Sequence, residues 1–392
     1  MSSSASVPGE RVPLNIDGRF LLQDVTGVQR VAIEFVQALD DMLAEGALPG
    51  LEVIVWVPRR GSLVTRPDFR AVELRRAGRL PSHAWEQLEL PVLVGSGPLL
   101  CLGNLAPLAL LLGGRTPVHT MVHDLSYAYF PGAYSRSFRL LYHALIPVVL
   151  ARSRRVYTVS DTERAAILKR YRRLIAPSRL VSAQNGGGEG AALAWPDNDL
   201  ASREPGSAMV PSRVARDRRV LYVGSLTRRK NADGLARAAV ELARTTDLEF
   251  VFVGATGASF EASGLTVPAE LADRITFLGQ VNDPSRIEEE YRRASVFLFP
   301  SHYEASPLPP VEAMRFGCPV VAADIPSLRE RCGDAVAYCD PADVGTMVAQ
   351  VRRVADDPAL WSRLQAAGLR QAAGYSWRDQ ARTVLGHLAS AS

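Results

Sequence analysis

The chain has 392 residues, of which 47% are hydrophobic and 22% charged, with a net charge of +4. That length suggests two domains, and the balance is that of an ordinary globular protein rather than a disordered or membrane-embedded one. The charge is uneven: residues 1–205 carry 23 basic against 19 acidic groups, and residues 206–392 carry 22 of each.

The four cysteines, at 101, 318, 332 and 339, show neither a pairing ladder nor metal-ligand spacing. They read as reduced, mostly buried thiols of a cytoplasmic protein. The opening "MSSSASVPGE" is a polar tail without the apolar core of a leader. The longest apolar run, "LAPLALLLGG" at 105–114, is too short and too broken by Gly and Pro to span a bilayer.

In chain order, "VPLNIDGRFL" (12–21) reads as a strand and its turn. A helix follows within 23–43, where Val28, Val31, Ala32, Phe35 and Leu39 share one face. Thr26 and Gly27 stand just before it, so a strand, a glycine turn and a helix N-terminus offer free N–H groups to an anion. A plain turn is the competing reading. "LEVIVWVP" (51–58) is the next strand. Residues 60–97 look irregular apart from a helical 83–91. "PVHTMVHDLS" then gives a strand ending on His123–Asp124. A histidine at the carboxyl end of a strand and followed by Asp points to function more than to packing. "YTVSDTERAAIL" is a strand followed by a helix capped by Ser160 or Asp161.

Residues 136–179 hold 11 basic and 2 acidic side chains. A solvated helical face is the plain reading. The imbalance also suits an anionic membrane surface or a lipid-diphosphate acceptor. No nucleic-acid-binding motif accompanies it, so nucleic acid is not expected as a partner.

Residues 183–217 are rich in Gly, Ser, Pro and Asp and lack periodicity, which marks a domain boundary. We therefore divide the chain into 1–205 and 206–375, with a C-terminal helix from 376 to 392 packing back on the first part. After the boundary, "RRVLYVGSLTRRKNADG" is a strand running into Gly224–Ser225. The triplet Arg228, Arg229 and Lys230 then precedes a helix capped near Asn231. Cations at the carboxyl end of a first strand suit a diphosphate by charge and position. No Walker-type loop appears and no "GxGxxG" follows a strand, which counts against a kinase or a nicotinamide enzyme. "LEFVFVG", "ITFLGQV" and "ASVFLFP" are further strands. Their alternation with helices implies parallel, doubly wound sheets.

The central stretch is "FPSHYEASPLPPVEAMRFGCPVVAAD", 299–324. It reads as strand end, proline-rich loop, short helix and buried strand, with Gly317 ending the helix. Glu304 opens the loop at the carboxyl end of a parallel strand, where open α/β sheets bind ligands. Glu312 lies in the helix's first turn, where the dipole favours a carboxylate whatever its role.

Two glutamates with seven residues between them, followed by "GCPVVAAD", resemble the retaining glycosyltransferases of family four. "TGVQR", "HDLSYAYFPGAYS" and "RRVYTVSDTERAAI" extend the resemblance to the first half, in the manner of bacterial polysaccharide enzymes. The resemblance implies a GT-B fold, two Rossmann-like parallel-sheet domains facing across a cleft, and a nucleotide-sugar donor. It implies that Glu304 meets the donor sugar and Glu312 the ribose, with His123 beside the sugar. It implies that Gly27 approaches the donor phosphates, that Gly224 and Ser225 line the same region, and that Lys230 binds the diphosphate, either with Arg228 or Arg229 in place of the relatives' arginine or alone. It implies that Ser306, Pro307 and Leu308 present backbone to the diphosphate, Leu308 being the favoured amide donor because Pro309 has no N–H. Val281, in "FLGQV", would neighbour the base. Where many relatives have arginine after the strand glycine this chain has Ser225, and where the commonest loop reads "GFGL" it reads "ASPL".

The expectation is a metal-independent, cofactor-free hexosyltransferase of the cytoplasm that moves mannose or a related hexose to a saccharide or polyprenyl-diphosphate-linked acceptor, in peripheral contact with the inner face of the cell membrane. The competing classes are a non-catalytic nucleotide-sugar binder and a GT-B epimerase or phosphorylase.

Overall fold

The computed structural model describes residues 12–95, 97–187, 213, 216–258, 266–281 and 283–389. The polar opening tail, most of the 183–217 linker and the boundary at 205/206 lie outside them.

The chain builds two all-parallel sheets. The first contains β1 (Val12–Asp17), β2 (Leu51–Pro58), β3 (Glu73–Ala77), β4 (Leu99–Cys101), β5 (Val118–Met121), β6 (Arg155–Thr158) and β7 (Leu180–Ser182), ordered β3-β2-β1-β4-β5-β6-β7. The second contains β8 (Asp217–Val223), β9 (Glu249–Val253), β10 (Ile275–Phe277), β11 (Ala294–Phe299), β12 (Val320–Ala323) and β13 (Ala337–Cys339), ordered β10-β9-β8-β11-β12-β13. These are two Rossmann-like α/β domains. All six residues of β11 and all four of β12 are buried, as strands covered on both faces require.

The helices of the first part are α1 (Gly27–Ala44), α2 (Ser82–Leu88), α3 (Leu90–Leu93), α4 (Leu108–Gly113), α5 (Ser126–Tyr129), α6 (Arg136–Arg152) and α7 (Asp161–Tyr171). Those of the second are α8 (Ala232–Thr245), α9 (Pro284–Arg293), α10 (Pro309–Arg315), α11 (Pro326–Cys332), α12 (Val344–Asp356), α13 (Pro358–Ala373) and α14 (Trp377–Ala389). None is long and apolar enough to cross a membrane among the described residues.

Three local readings change. β3 forms at the edge of the first sheet from "ELRRA", a sequence too charged to announce a strand; charge is how an edge strand avoids further pairing. β5 stops at Met121, so His123 stands two residues beyond the strand rather than at its end. α10 starts at Pro309, two residues earlier than the prolines suggested, because both occupy positions whose N–H would be unbonded anyway.

The last helix belongs to the first core. Trp377, Ala381 and Val384 are buried with Val31, Phe35 and Leu39 of α1, and the Tyr157 hydroxyl of β6 donates to the Val384 carbonyl at 3.0 Å. The crossing point explains two glycines. A Cβ on Gly186 would stand 2.4 Å from the Trp377 ring, and one on Gly187 would stand 3.0 Å from both the Tyr375 carbonyl and Val311. Arg331 of α11, 2% exposed, donates to the carbonyls of Asn185 and Gly186. Close approach, not only flexibility, selects glycine there.

Candidate functional site

In both sheets the strand order reverses beside the first strand: between β1 and β4, and between β8 and β11. Chains leaving the carboxyl ends of two such strands diverge and leave a crevice. β8 delivers Gly224, whose φ of +146° lies outside the range of most side chains, and then the loop carrying Ser225, Arg229 and Lys230. β11 delivers Pro300 and the loop to Glu304.

The two loops meet. Lys230 Nζ lies 2.6 Å from Glu304 Oε1, and Arg229 Nη1 lies 3.0 Å from Glu304 Oε2. Glu304 is only 7% exposed. Burial pushes its carboxyl up, but Lys230 and Arg229 outweigh it and hold the group below the usual carboxylate range. The Lys230 ammonium is pulled down by burial, against the opposing pull of Glu304, and also rests over the Phe299 ring at 4.8 Å. Asn231, the left-handed cap of α8, fixes the loops by donating to the carbonyls of Pro300 and Pro341 at 3.0 and 2.7 Å. A lysine has three donors and an arginine five, so both cations keep hydrogen-bonding capacity beyond the carboxylate. Ser225 is exposed beside them, with its carbonyl accepting from the Tyr222 hydroxyl at 2.9 Å.

The loop 305–308 leans on the first domain. Ala305 and Leu308 pack with that domain's core, and Asn185 donates to the Ser306 carbonyl at 3.2 Å. Ser306 is 9% exposed and its Oγ has no partner among the described residues. The Pro307 carbonyl accepts from Arg331 at 3.4 Å. Leu308 caps α10, and its carbonyl takes the N–H groups of Val311 and Glu312 at 3.0 Å each.

Glu312 is 6% exposed. Its Oε2 accepts from the Tyr291 hydroxyl of α9 at 3.0 Å, and its Oε1 lies 2.5 Å from Arg30 Nη2 on α1. Gly27 opens α1 three residues before Arg30; a Cβ there would meet nothing within 4 Å, so packing does not require the glycine.

His123 is 5% exposed. Its Nε2 donates to the Leu102 carbonyl at 2.7 Å, and its N–H donates to Asn104 Oδ1 at 2.7 Å. The carbonyl accepts only, so Nε2 carries the proton and Nδ1 is the lone-pair nitrogen. Burial lowers the imidazole's pKa and keeps it neutral. Val281 lies past β10, separated from the strand that carries Glu304 by β9 and β8.

Several residues that the sequence reading left aside also meet here. Tyr303 stands next to Glu304 and projects into the first domain. Its ring packs against Tyr129 and Phe130 at 5.7 and 5.6 Å, and its hydroxyl donates to Glu163 Oε2 at 2.8 Å. Glu163 also takes the Leu125 N–H at 2.8 Å, and burial, with Asp124 nearby, pushes its carboxyl up to about 7. Glu330 of α11 accepts from the N–H groups of Asp161 and Thr162 at 2.7 Å each, capping α7 from the other domain. "SHYEASP" and "TGVQR" contain Tyr303 and Arg30, but neither side chain has a motif role that spacing would reveal.

Two crevice walls, a buried carboxylate between two cations and loops that touch across the cleft describe a site for an anionic ligand carrying hydroxyls. Comparison with known proteins points the same way. Residues 211–371 match the model described as "Glycosyl transferases group 1". That segment, which holds nearly all of the second domain, is similar to the group 1 glycosyltransferases. It is 28% identical over 266 residues to the O-antigen chain mannosyltransferase B of Escherichia coli, covering 66% of this chain and 67% of that one. It is 30% identical over 261 residues to a D-inositol 3-phosphate glycosyltransferase of Thermobifida fusca, covering 62% of this chain and 56% of the relative. Among solved structures, this chain overlays a sucrose-phosphate synthase from Thermosynechococcus elongatus with a TM-score of 0.72 at 19% identity, over 97% of this chain and 100% of the other. Anabaena HepE, solved with UDP and glucose, overlays with a TM-score of 0.65 at 16% identity, over 97% and 100%. The fold is GT-B.

Proposed function

We propose that the protein transfers a hexose, mannose or a near relative, from a nucleotide-diphosphate sugar to a saccharide or polyprenyl-diphosphate-linked acceptor in surface polysaccharide assembly, with retention at the anomeric carbon. The observation that carries this is Glu304 held 2.6 Å from Lys230 and 3.0 Å from Arg229 where β8 and β11 diverge. The likeness to an O-antigen mannosyltransferase supports the acceptor class.

In this reading the diphosphate lies against Arg229 and Lys230, with Gly224, Ser225 and Gly27 allowing close backbone approach and the Leu308 amide donating. Glu304 meets hydroxyls of the transferred sugar, and Glu312 meets the ribose. Val281 lies toward the base, and neutral His123 lies under the sugar. The anomeric C–O bond to the diphosphate breaks as the acceptor hydroxyl bonds to the same carbon from the same face. The hydroxyl proton leaves on the departing phosphate. The two cations are fixed in place before charge develops on that phosphate, which is where electrostatic preorganisation acts. They do what a divalent ion would otherwise do, so activity is expected to need neither metal nor cofactor.

The first domain then serves the acceptor. Along α6, Leu140 (72% exposed) lies one turn from Arg136 and next to exposed Leu141, and the last turn of α7 carries Lys169 and Arg170, with Arg172 and Arg173 just after it. In the same reading, 136–179 contacts an anionic membrane. Neutralising Arg154, Arg155, Arg172 and Arg173 together is expected to reduce binding to anionic vesicles, and added salt to mimic it; equal binding by the variant would return this patch to a solvated face.

The test of the activity is release of nucleoside diphosphate across a donor panel, with and without excess EDTA. Turnover of one donor that persists in chelator is expected. Tight binding of a donor without turnover would favour a non-catalytic binder, and loss of turnover in EDTA restored by magnesium or manganese would overturn metal independence.

A further inference from the structure

Glu312 draws its two partners from different domains. Tyr291, on its own domain, donates to Oε2, whereas Arg30, on the first domain, reaches Oε1 at 2.5 Å. Arg30 sits in the N-terminal part of α1, whose cap is Thr26. A cation at that end gains nothing from the helix dipole, so helix stability does not explain it. One turn on, Glu34 Oε1 lies 3.9 Å from Arg30 Nε. Glu34 is 3% exposed and its Oε2 has no partner among the described residues. Burial pushes the Glu34 carboxyl up to about 8; Arg30 and Arg315 oppose this and Glu312 adds to it. Near neutral pH, Glu34 is therefore mostly uncharged, and the Arg30 charge serves Glu312. The Arg30 side chain stays 36% exposed, so the pair is not sealed from a ligand.

We propose that Arg30 is a positioning residue for the nucleoside half of the donor: from the opposite domain it fixes the rotamer of Glu312, so the carboxylate recognises a ribose diol only when the two domains are together. This rests on the ribose reading of Glu312. With Oε2 engaged by Tyr291 and Oε1 by Arg30, the plane of the carboxylate is set, and the remaining lone pairs point in fixed directions. A diol matches two fixed acceptors; a deoxyribose, with one hydroxyl, leaves one unmet. Arg30 then sets discrimination against 2′-deoxynucleotides without itself touching the base, the diphosphate or the sugar that is transferred.

The experiment is calorimetry with the best-bound nucleoside diphosphate, its 2′-deoxy form and inorganic pyrophosphate. It is run on the full chain and on Arg30→Ala, Arg30→Lys, Glu312→Gln and the Arg30→Ala/Glu312→Gln double variant. The wild type is expected to prefer the ribonucleotide by roughly tenfold, the scale of one charge-assisted hydrogen bond. Arg30→Ala is expected to lose most of that preference, Arg30→Lys to keep part of it, and the double variant to match Glu312→Gln. Pyrophosphate affinity is expected to be equal throughout, which also certifies the fold; if Arg30→Ala loses it, Arg30→Lys carries the test. Full preference retained by both Arg30 variants, while Glu312→Gln loses it, would overturn the proposal alone. Full preference retained by Glu312→Gln would overturn the ribose reading and this proposal with it.

Discussion

The two cleft glutamates lie eight positions apart in one loop–helix segment, yet they are held in opposite ways. Glu304 is neutralised within its own domain by Arg229 and Lys230, which leave the neighbouring strand of the same sheet. Glu312 reaches its cation only across the cleft, at Arg30. The first arrangement lies within one domain and needs no contact between the two. The second exists only when they meet. On the proposed reading, the diphosphate contacts would stand ready within one domain and the nucleoside contact would be completed where the domains meet, so that the donor binds first and is gripped afterwards.

The sharpest way to break that comparison is to remove both cations of the preformed half. Arg229→Ala/Lys230→Ala is expected to lower nucleoside-diphosphate affinity by roughly a hundredfold or more, since each charge-assisted phosphate contact is worth about 1.5–3 kcal/mol. It also leaves Glu304 buried and unpaired, which destabilises by a few kcal/mol; calorimetry and thermal melts read the two effects separately. Unchanged affinity would remove the diphosphate from this loop.

Domain contact itself comes next. Tyr303→Phe removes the hydroxyl that donates to Glu163 across the interface. The expected cost is about 1 kcal/mol, seen as a lower melting temperature. It should be larger at pH 8 than at pH 5.5, because Glu163 titrates at about 7 and a bond to the ionised carboxylate is the stronger one. A cost that does not vary with pH would detach Glu163 from that titration.

The smallest effect concerns Glu34. Its pKa is raised from 4.5 to about 8, so the folded chain binds more protons than the unfolded one between those values. Stability from this group is therefore full below about 4.5 and declines as pH rises towards 8. Glu34→Gln is expected to flatten that decline in melts taken from pH 5 to 9. An unchanged slope would show that Glu34 is not the group responsible.

Much of this was legible in the sequence because it is local. Lys230 and Glu304 follow buried apolar strands, and strand ends at a switch point are adjacent whatever the rest of the chain does. Gly224 and Gly317, with φ of +146° and +66°, are glycines for backbone reasons that the strand–turn and helix–turn patterns announce. What stayed hidden is what depends on two domains meeting. Arg30 and Tyr303 drew no reading from the sequence, because a cation on an amphipathic helix and an aromatic in a loop carry no spacing signal. Glu163 is in sequence only an acid in the first turn of a helix, yet it is buried and accepts from Tyr303 and Leu125. Nor did spacing show that Glu304 and Glu312 are both buried, so that their substitution bears on stability as well as on activity. His123 was legible as a special histidine, but its Nε2 being committed to the Leu102 carbonyl was not.

Steady-state kinetics on Glu304→Gln and Glu312→Gln, with the donor found by the panel, test the division between the two glutamates most directly. Binding at a part that does not react contributes equally in ground and transition states, whereas binding at the reacting sugar does not. Glu304→Gln is expected to lower kcat by about a hundredfold or more, the scale of losing one electrostatic stabiliser. Glu312→Gln is expected to raise donor KM with kcat nearly unchanged, both proteins giving wild-type circular dichroism. A folded Glu304→Gln that turns over at the wild-type rate would contradict the assignment.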